Sequence, residues 1–225
     1  MYIIGIDFSI LYPTACITKD FKKFRWISCI NTKLTKVYRK FLEDIQLEYQ
    51  NLEFIFLPER QGKQLTYSAT ERAKLENHSL LTDTFVNRIN EIVLEDTSEH
   101  HVIVSIEGMA YGAQGNALVD IAQSTGMLRK NILDTTLGGK SKSLFVFSPG
   151  ELKNAIGAKG NAGKYDIFTQ FKDSPLLAKD SDLYRCILQN EEQILKDLTV
   201  KSPFSDMIDS YLAILKIHES LKESL

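Results

Sequence analysis

Two short β-branched runs, Tyr2-Ile3-Ile4-Gly5-Ile6 and Val102-Ile103-Val104-Ser105-Ile106, each lead directly into a carboxylate, Asp7 and Glu107. The second run is apolar with almost no alternation, and such a strand belongs in the middle of a sheet covered on both faces. In an open α/β sheet the strand ends border a crevice, so acids placed there stand where ligand groups collect. The fold class expected from this pairing is α/β, with the two acids near one another.

Thr14 to Thr18 and Phe24 to Ile30 read as two further strands around the charged turn Lys19-Asp20-Phe21-Lys22-Lys23, so the chain opens as an antiparallel meander. Residues 34–50 carry apolar side chains at helical spacing, and a short apolar run, Phe54 to Leu57, precedes an exposed loop from Pro58 to Thr66. Ser68-Ala69-Thr70-Glu71 resembles a capping box and predicts a long helix from Ser68, with one interruption, to about Asp96. Residues 116–137 read as a helix, Leu144 to Phe147 as a strand, Pro149 to Ile156 as a short helix and Lys164 to Phe171 as another. Residues 173–203 are polar and irregular, with a helix expected near 182–198. The last element, Ser205 to about Ser220, turns Ile208, Tyr211, Leu212, Leu215 and Ile217 to one side.

On that last helix Asp206 and Asp209 are three residues apart and project from one face, while the apolar side docks the helix on the sheet. Each acid has an ordinary structural explanation: Asp7 in a turn, Glu107 paired with a lysine, Asp206 in the first turn of its helix. Four carboxylates gathered against an apolar core are costly unless a metal or protonation compensates. Hard oxygen ligands select magnesium or manganese over zinc, and two ions roughly 4 Å apart can activate water and stabilise the leaving oxygen of a phosphodiester.

The formal charge of −2 argues against wholesale coating of nucleic acid. From Arg129 to Lys172, however, eight basic residues stand against three acidic ones, a stretch that reads equally as a contact surface or as a solvated one. The three cysteines, Cys16, Cys29 and Cys186, lack metal or redox spacing and read as buried thiols of a reducing compartment. No apolar run approaches membrane-spanning length, so a cytoplasmic location is expected. The histidines show no ligand spacing.

The ordered set of segments resembles the RuvC-like Holliday junction resolvases of the RNase H-like superfamily. Ile4-Gly5-Ile6-Asp7-Phe8-Ser9, with Thr14, is similar to that family's first acidic motif, and Ile106-Glu107-Gly108 followed by Tyr111-Gly112 to its second. Ser124-Thr125-Gly126 matches a small-residue helix segment, Ser148-Pro149-Gly150-Glu151-Leu152-Lys153 the opening of the basic helix, and Gly160-Asn161-Ala162-Gly163-Lys164 a glycine-lysine turn. Asp206-Met207-Ile208-Asp209-Ser210-Tyr211-Leu212-Ala213 resembles the closing Asp-x-x-Asp helix.

The resemblance implies a single RNase H-like domain over residues 1–225, with a mixed five-stranded sheet flanked by helices and insertions at about 31–66 and 173–203. It implies a crossover-junction endodeoxyribonuclease in which Asp7, Glu107, Asp206 and Asp209 bind two Mg2+ ions, Mn2+ substituting. Lys153, Lys164 and Lys159 are implied as phosphate or DNA contacts, and Tyr111 as an aromatic that stacks on junction bases. The partners implied are four-way-junction DNA and a second copy of the chain. The insertion-bearing motif set suits a phage or viral member, which would act in the host cytoplasm.

Three rivals stand beside this reading. One is a nuclease of the same fold that cuts other branched DNA or RNA–DNA hybrids. Another is an actin-like or sugar-kinase-like nucleotide-binding protein, for which Gly5-Ile6-Asp7 with Ser9 and Thr14 resembles a phosphate hairpin, although the chain is short for two such domains. The third is a non-catalytic DNA-binding scaffold. Leu137-Gly138-Gly139-Lys140-Ser141 has Asp134 where a P-loop needs glycine, and it lies between helix and strand in the wrong order.

Overall fold

The computed structural model describes residues 1–59, 66–95, 101–108 and 115–223. Its centre is a six-stranded sheet of order β4-β3-β2-β1-β5-β6, made of β1 (Tyr2–Asp7), β2 (Thr14–Thr18), β3 (Phe24–Ile30), β4 (Leu52–Phe56), β5 (Val102–Glu107) and β6 (Leu144–Phe147). β1, β2 and β3 are successive antiparallel neighbours, as the meander requires. β1 and β5 run parallel with Ile6 opposite Ile106, and β6 is parallel to β5.

The sheet has one strand more than the five expected. The extra strand comes from the 31–66 segment, in which α1 (Lys36–Glu48) carries the chain from β3 to β4. β4 then pairs parallel with β3, Trp26 opposite Leu52 and Ile30 opposite Phe56. A β-strand followed by a helix and a parallel strand is a compact crossover unit, so this segment widens the sheet.

Helices cover both faces. One core holds Ile4, Ile6, Ile17, Ile27, Val104 and Ile106 under α2 (Tyr67–Leu94) and α3 (Asn116–Asn131). The other holds Ile3, Cys16, Trp26 and Ile103 under α8 (Phe204–Glu223), α4 (Pro149–Ala155) and α5 (Lys164–Asp173). Ile3 and Ile4 therefore point to opposite faces, which is the period-two alternation of a doubly covered strand.

The 173–203 segment forms α6 (Asp182–Gln189), a short α7 (Glu191–Ile194) and a hairpin of β7 (Leu195–Lys196) with β8 (Thr199–Val200). It is docked and not loose: buried Asp182 accepts from the backbone N–H of Asn51 at 2.9 Å and from its side-chain amide at 2.8 Å. The helix expected near 182–198 ends at Gln189, where Asn190 leaves helical backbone, and Asp197 and Leu198 take positive φ in the hairpin turn beyond α7. α2 starts at Tyr67, capped by the Thr66 hydroxyl accepting from Ala69 N at 3.2 Å, two residues ahead of Ser68, and it runs uninterrupted. α4 begins with Ser148 and Glu151 capping one another and Pro149 in the first turn. All three cysteines are buried and free. No helix among the described residues is long and apolar enough to cross a membrane.

Candidate metal centre

Glycine in a strand interior often marks a close approach of another backbone, and Gly5 is such a site. A Cβ at Gly5 would overlap the Ser210 carbonyl oxygen and come within 3.0 Å of Ile214 N, so α8 lies directly on β1. The indole of Trp26 fixes the same helix by donating to the Met207 carbonyl at 3.0 Å in the buried core. With α8 held there, its first turns carry Asp206 and Asp209 to the end of β1. One carboxylate oxygen each from Asp7, Asp206 and Asp209 lies within 4.8 Å of the others.

Glu107 joins them from the adjacent strand. The register that sets Ile6 beside Ile106 places Asp7 and Glu107 at neighbouring strand ends. All four acids line a cavity of about 310 Å³ together with Ser9, Lys153 and Lys164.

Two lysines oppose the acids. Lys164 Nζ donates to Asp206 Oδ1 at 3.0 Å and Ser205 Oγ at 3.1 Å, and lies 4.0 Å from Asp209 Oδ2. Lys153 Nζ donates to the Ala162 carbonyl at 2.8 Å, which ties α4 to the glycine-rich turn and leaves its charge acting on Glu107 and Asp209.

These charges do not balance. Burial, then the charges of Asp209, Asp206 and Glu107, raise the Asp7 carboxyl well above its ordinary range against the pull of Lys164. Burial pushes Asp209 up to about 7, with Lys164 opposing and Glu107 and Asp206 adding. Glu107 is raised by burial despite Lys153 and Lys164. Burial works against the charge on Lys164, yet Asp206 and Asp209 outweigh it and raise that ammonium. Asp206 is 4% exposed, and its Oδ2 is buried with no hydrogen-bond partner among the described residues. An orphaned carboxylate oxygen facing two raised carboxyls fits a hard divalent cation such as magnesium or manganese, whose charge would relieve both defects.

No protein-family model and no curated protein matches the sequence. The Thermus thermophilus RuvC structure is similar over 100% of this chain and 97% of that one, with 13% identity and a TM-score of 0.49. T. thermophilus RuvC in complex with Holliday junction substrate is similar over 100% and 96%, with 16% identity and a TM-score of 0.47. Residue roles in this chain rest on its own geometry.

Of the residues singled out from the sequence, the structure brings together Asp7, Glu107, Asp206, Asp209, Lys153 and Lys164. Lys159 is exposed on the turn after α4 and does not line the cavity. Tyr111 lies outside the described residues. The basic stretch is partly spent internally, since Lys130 pairs with Asp134 and Lys172 with Glu191 at 2.8 Å. Ser9 stood in the sequence only as part of the first motif, and Ser205 only as the start of the last helix. Ser9 accepts from Tyr12 N at 2.9 Å and shapes the cavity wall, and Ser205, just before Asp206, helps hold the Lys164 ammonium.

Proposed function

We propose that the chain is a magnesium-dependent endonuclease that hydrolyses DNA phosphodiesters, with four-way junctions as its substrate. The observation that carries this reading is the convergence of four carboxylates and two lysines, from β1, β5, α4, α5 and α8, on one surface cavity. Asp7, Glu107, Asp206 and Asp209 would hold two Mg2+ ions, with Mn2+ able to substitute. Bound there, the metal supplies a water nucleophile and a counter-charge for the leaving oxygen.

The remaining work falls to the protein. Asp7, Glu107 and Asp209, whose carboxyls burial raises, would lose protons when a metal is held there. Lys164, anchored by Asp206 and Ser205, presents an ammonium to the scissile phosphate and offsets charge that develops during displacement. Lys153 contributes a second positive charge from α4 and holds the turn that carries Lys164. The apolar floor of Leu152, Ile167 and Leu212 limits water around the acids and strengthens their electrostatics. A twofold dimer would present two such centres to opposing strands of a symmetric junction.

Cleavage of a synthetic four-way junction in magnesium, beside an RNA–DNA hybrid and a linear duplex, tests the reading. Paired symmetric cuts in the junction are expected. Preferential cutting of the hybrid would move the substrate to another branch of nucleic-acid chemistry, and no cutting of any substrate would refute the proposal.

A further inference from the structure

Beside the metal centre lies a second, wider groove that the chemistry above does not use. It has a volume of about 1110 Å³ and runs between α1 and the β7–β8 hairpin, so the two segments that depart from the expected pattern form its walls together. Tyr12, Tyr38 and Phe41 supply aromatic surface, and Lys33, Lys196 and Lys201 supply positive charge against a single glutamate, Glu192. The Tyr38 and Phe41 rings are stacked 5.8 Å apart, and the Lys201 ammonium sits 5.5 Å from the Tyr38 ring centre. The Tyr38 hydroxyl donates to the Ser202 carbonyl at 2.7 Å, which locks the two walls together.

Two short contacts link the lining of the groove to the metal centre. Tyr12 on its rim bonds Ser9, which lines the acidic cavity. Ser202 on its floor lies 3.4 Å, oxygen to oxygen, from Ser205, the residue that holds Lys164. The charge of Asp206 raises both Tyr12 and Tyr38, after burial, so the two sites share one electrostatic environment.

We propose that this groove seats the DNA strand that continues from the scissile phosphate, its lysines on the backbone and its aromatic wall against unpaired bases. Stacking platforms combined with a positive track are the sequence-tolerant way to hold a single strand. The occupant is nucleic acid and not an apolar helix, because exposed lysines stand on both walls and hydrogen-bonded residues join the groove to the lining of the acidic cavity. Lys33 and Lys196 are exposed side chains on opposite walls, and Lys33 pairs with exposed Glu59 at 3.2 Å. This inference deepens the nuclease reading and rests on it.

The test compares the full chain with the double variant Lys33→Glu, Lys196→Glu. Affinity for a synthetic junction and for a 20-nucleotide single strand is measured by fluorescence anisotropy in calcium across a salt series. Magnesium-dependent melting and junction cutting are recorded in parallel. The variant is expected to bind both DNAs on the order of tenfold more weakly, with a salt slope for the single strand smaller by about 1.4. Its magnesium-induced rise in melting temperature should match the wild type. Variant affinity and slope equal to wild type, with the wild type cutting normally, would overturn the groove assignment alone. A wild type that neither binds nor cuts DNA would overturn the nuclease reading and the groove with it. Were the double variant to misfold, Val37→Glu, an exposed groove position on α1, carries the same expectation of weakened binding.

Discussion

Asp209→Asn should stabilise the metal-free protein at alkaline pH. Burial pushes the Asp209 carboxyl from an ordinary 3.8 up to about 7. A carboxyl whose folded-state value is raised binds its proton more tightly when folded. Its stabilising contribution is therefore complete below about pH 4 and is lost as pH rises through about 7. A change of that size corresponds to at most about 4 kcal/mol. The side chain keeps 22% of its exposure and lies in a cavity with three other acids, so about 2 kcal/mol is a better expectation. For a chain of this length that is a rise in melting temperature of roughly 4–8 °C. Differential scanning calorimetry in chelator at pH 8 reads it directly, and the advantage should shrink towards zero at pH 4.5. An Asp209→Asn protein that melts below the wild type at pH 8, or whose advantage does not change with pH, would refute the reasoning.

Three further outcomes follow from the geometry. Gly5→Ala should cost about 3 kcal/mol in urea unfolding, because the added methyl meets backbone of α8 and not a side chain that can turn aside. Trp26→Phe should cost about 1–3 kcal/mol by the same measurement, since it leaves the buried Met207 carbonyl without its donor. Lys164→Ala should lower the rate constant for junction cleavage by about 10²- to 10³-fold. Lys164→Arg should restore part of that rate, and a rate unchanged by the alanine variant would remove Lys164 from the reaction.

The parts of this fold legible from sequence are those where local pattern and tertiary demand coincide. β1 and β5 end on their acids because a doubly covered strand reads as an apolar run, and α8 reads through its spacing of Ile208, Tyr211, Leu212 and Leu215. β4 did not read as a sixth strand, because Leu52–Phe56 is too short to declare its partner and pairs only after α1 returns the chain to β3. The start of α2 was legible to within a residue, but its cap is Thr66 and not Ser68, because of the two hydroxyls only that of Thr66 sits on the extended backbone of a cap.

The site divides the same way. Chain order brought out the four acids and two lysines, but the interval between Asp7 and α8 depends on Gly5, whose meaning is a contact about 200 residues away in sequence. Periodicity carries no information of that kind. The groove was illegible for a related reason, since α1 and the β7–β8 hairpin meet only in the folded chain.

The most direct test of the central claim is a calorimetric titration of the metal-free protein with Mn2+ near pH 7 in buffers of different ionisation enthalpy. Burial raises the Asp7 carboxyl and pushes Asp209 up to about 7, so metal entry near pH 7 should expel protons. The account requires two ions bound per chain, with release of about one proton and loss of both signals in Asp7→Asn. Binding without proton release, or an unchanged titration in Asp7→Asn, would contradict it.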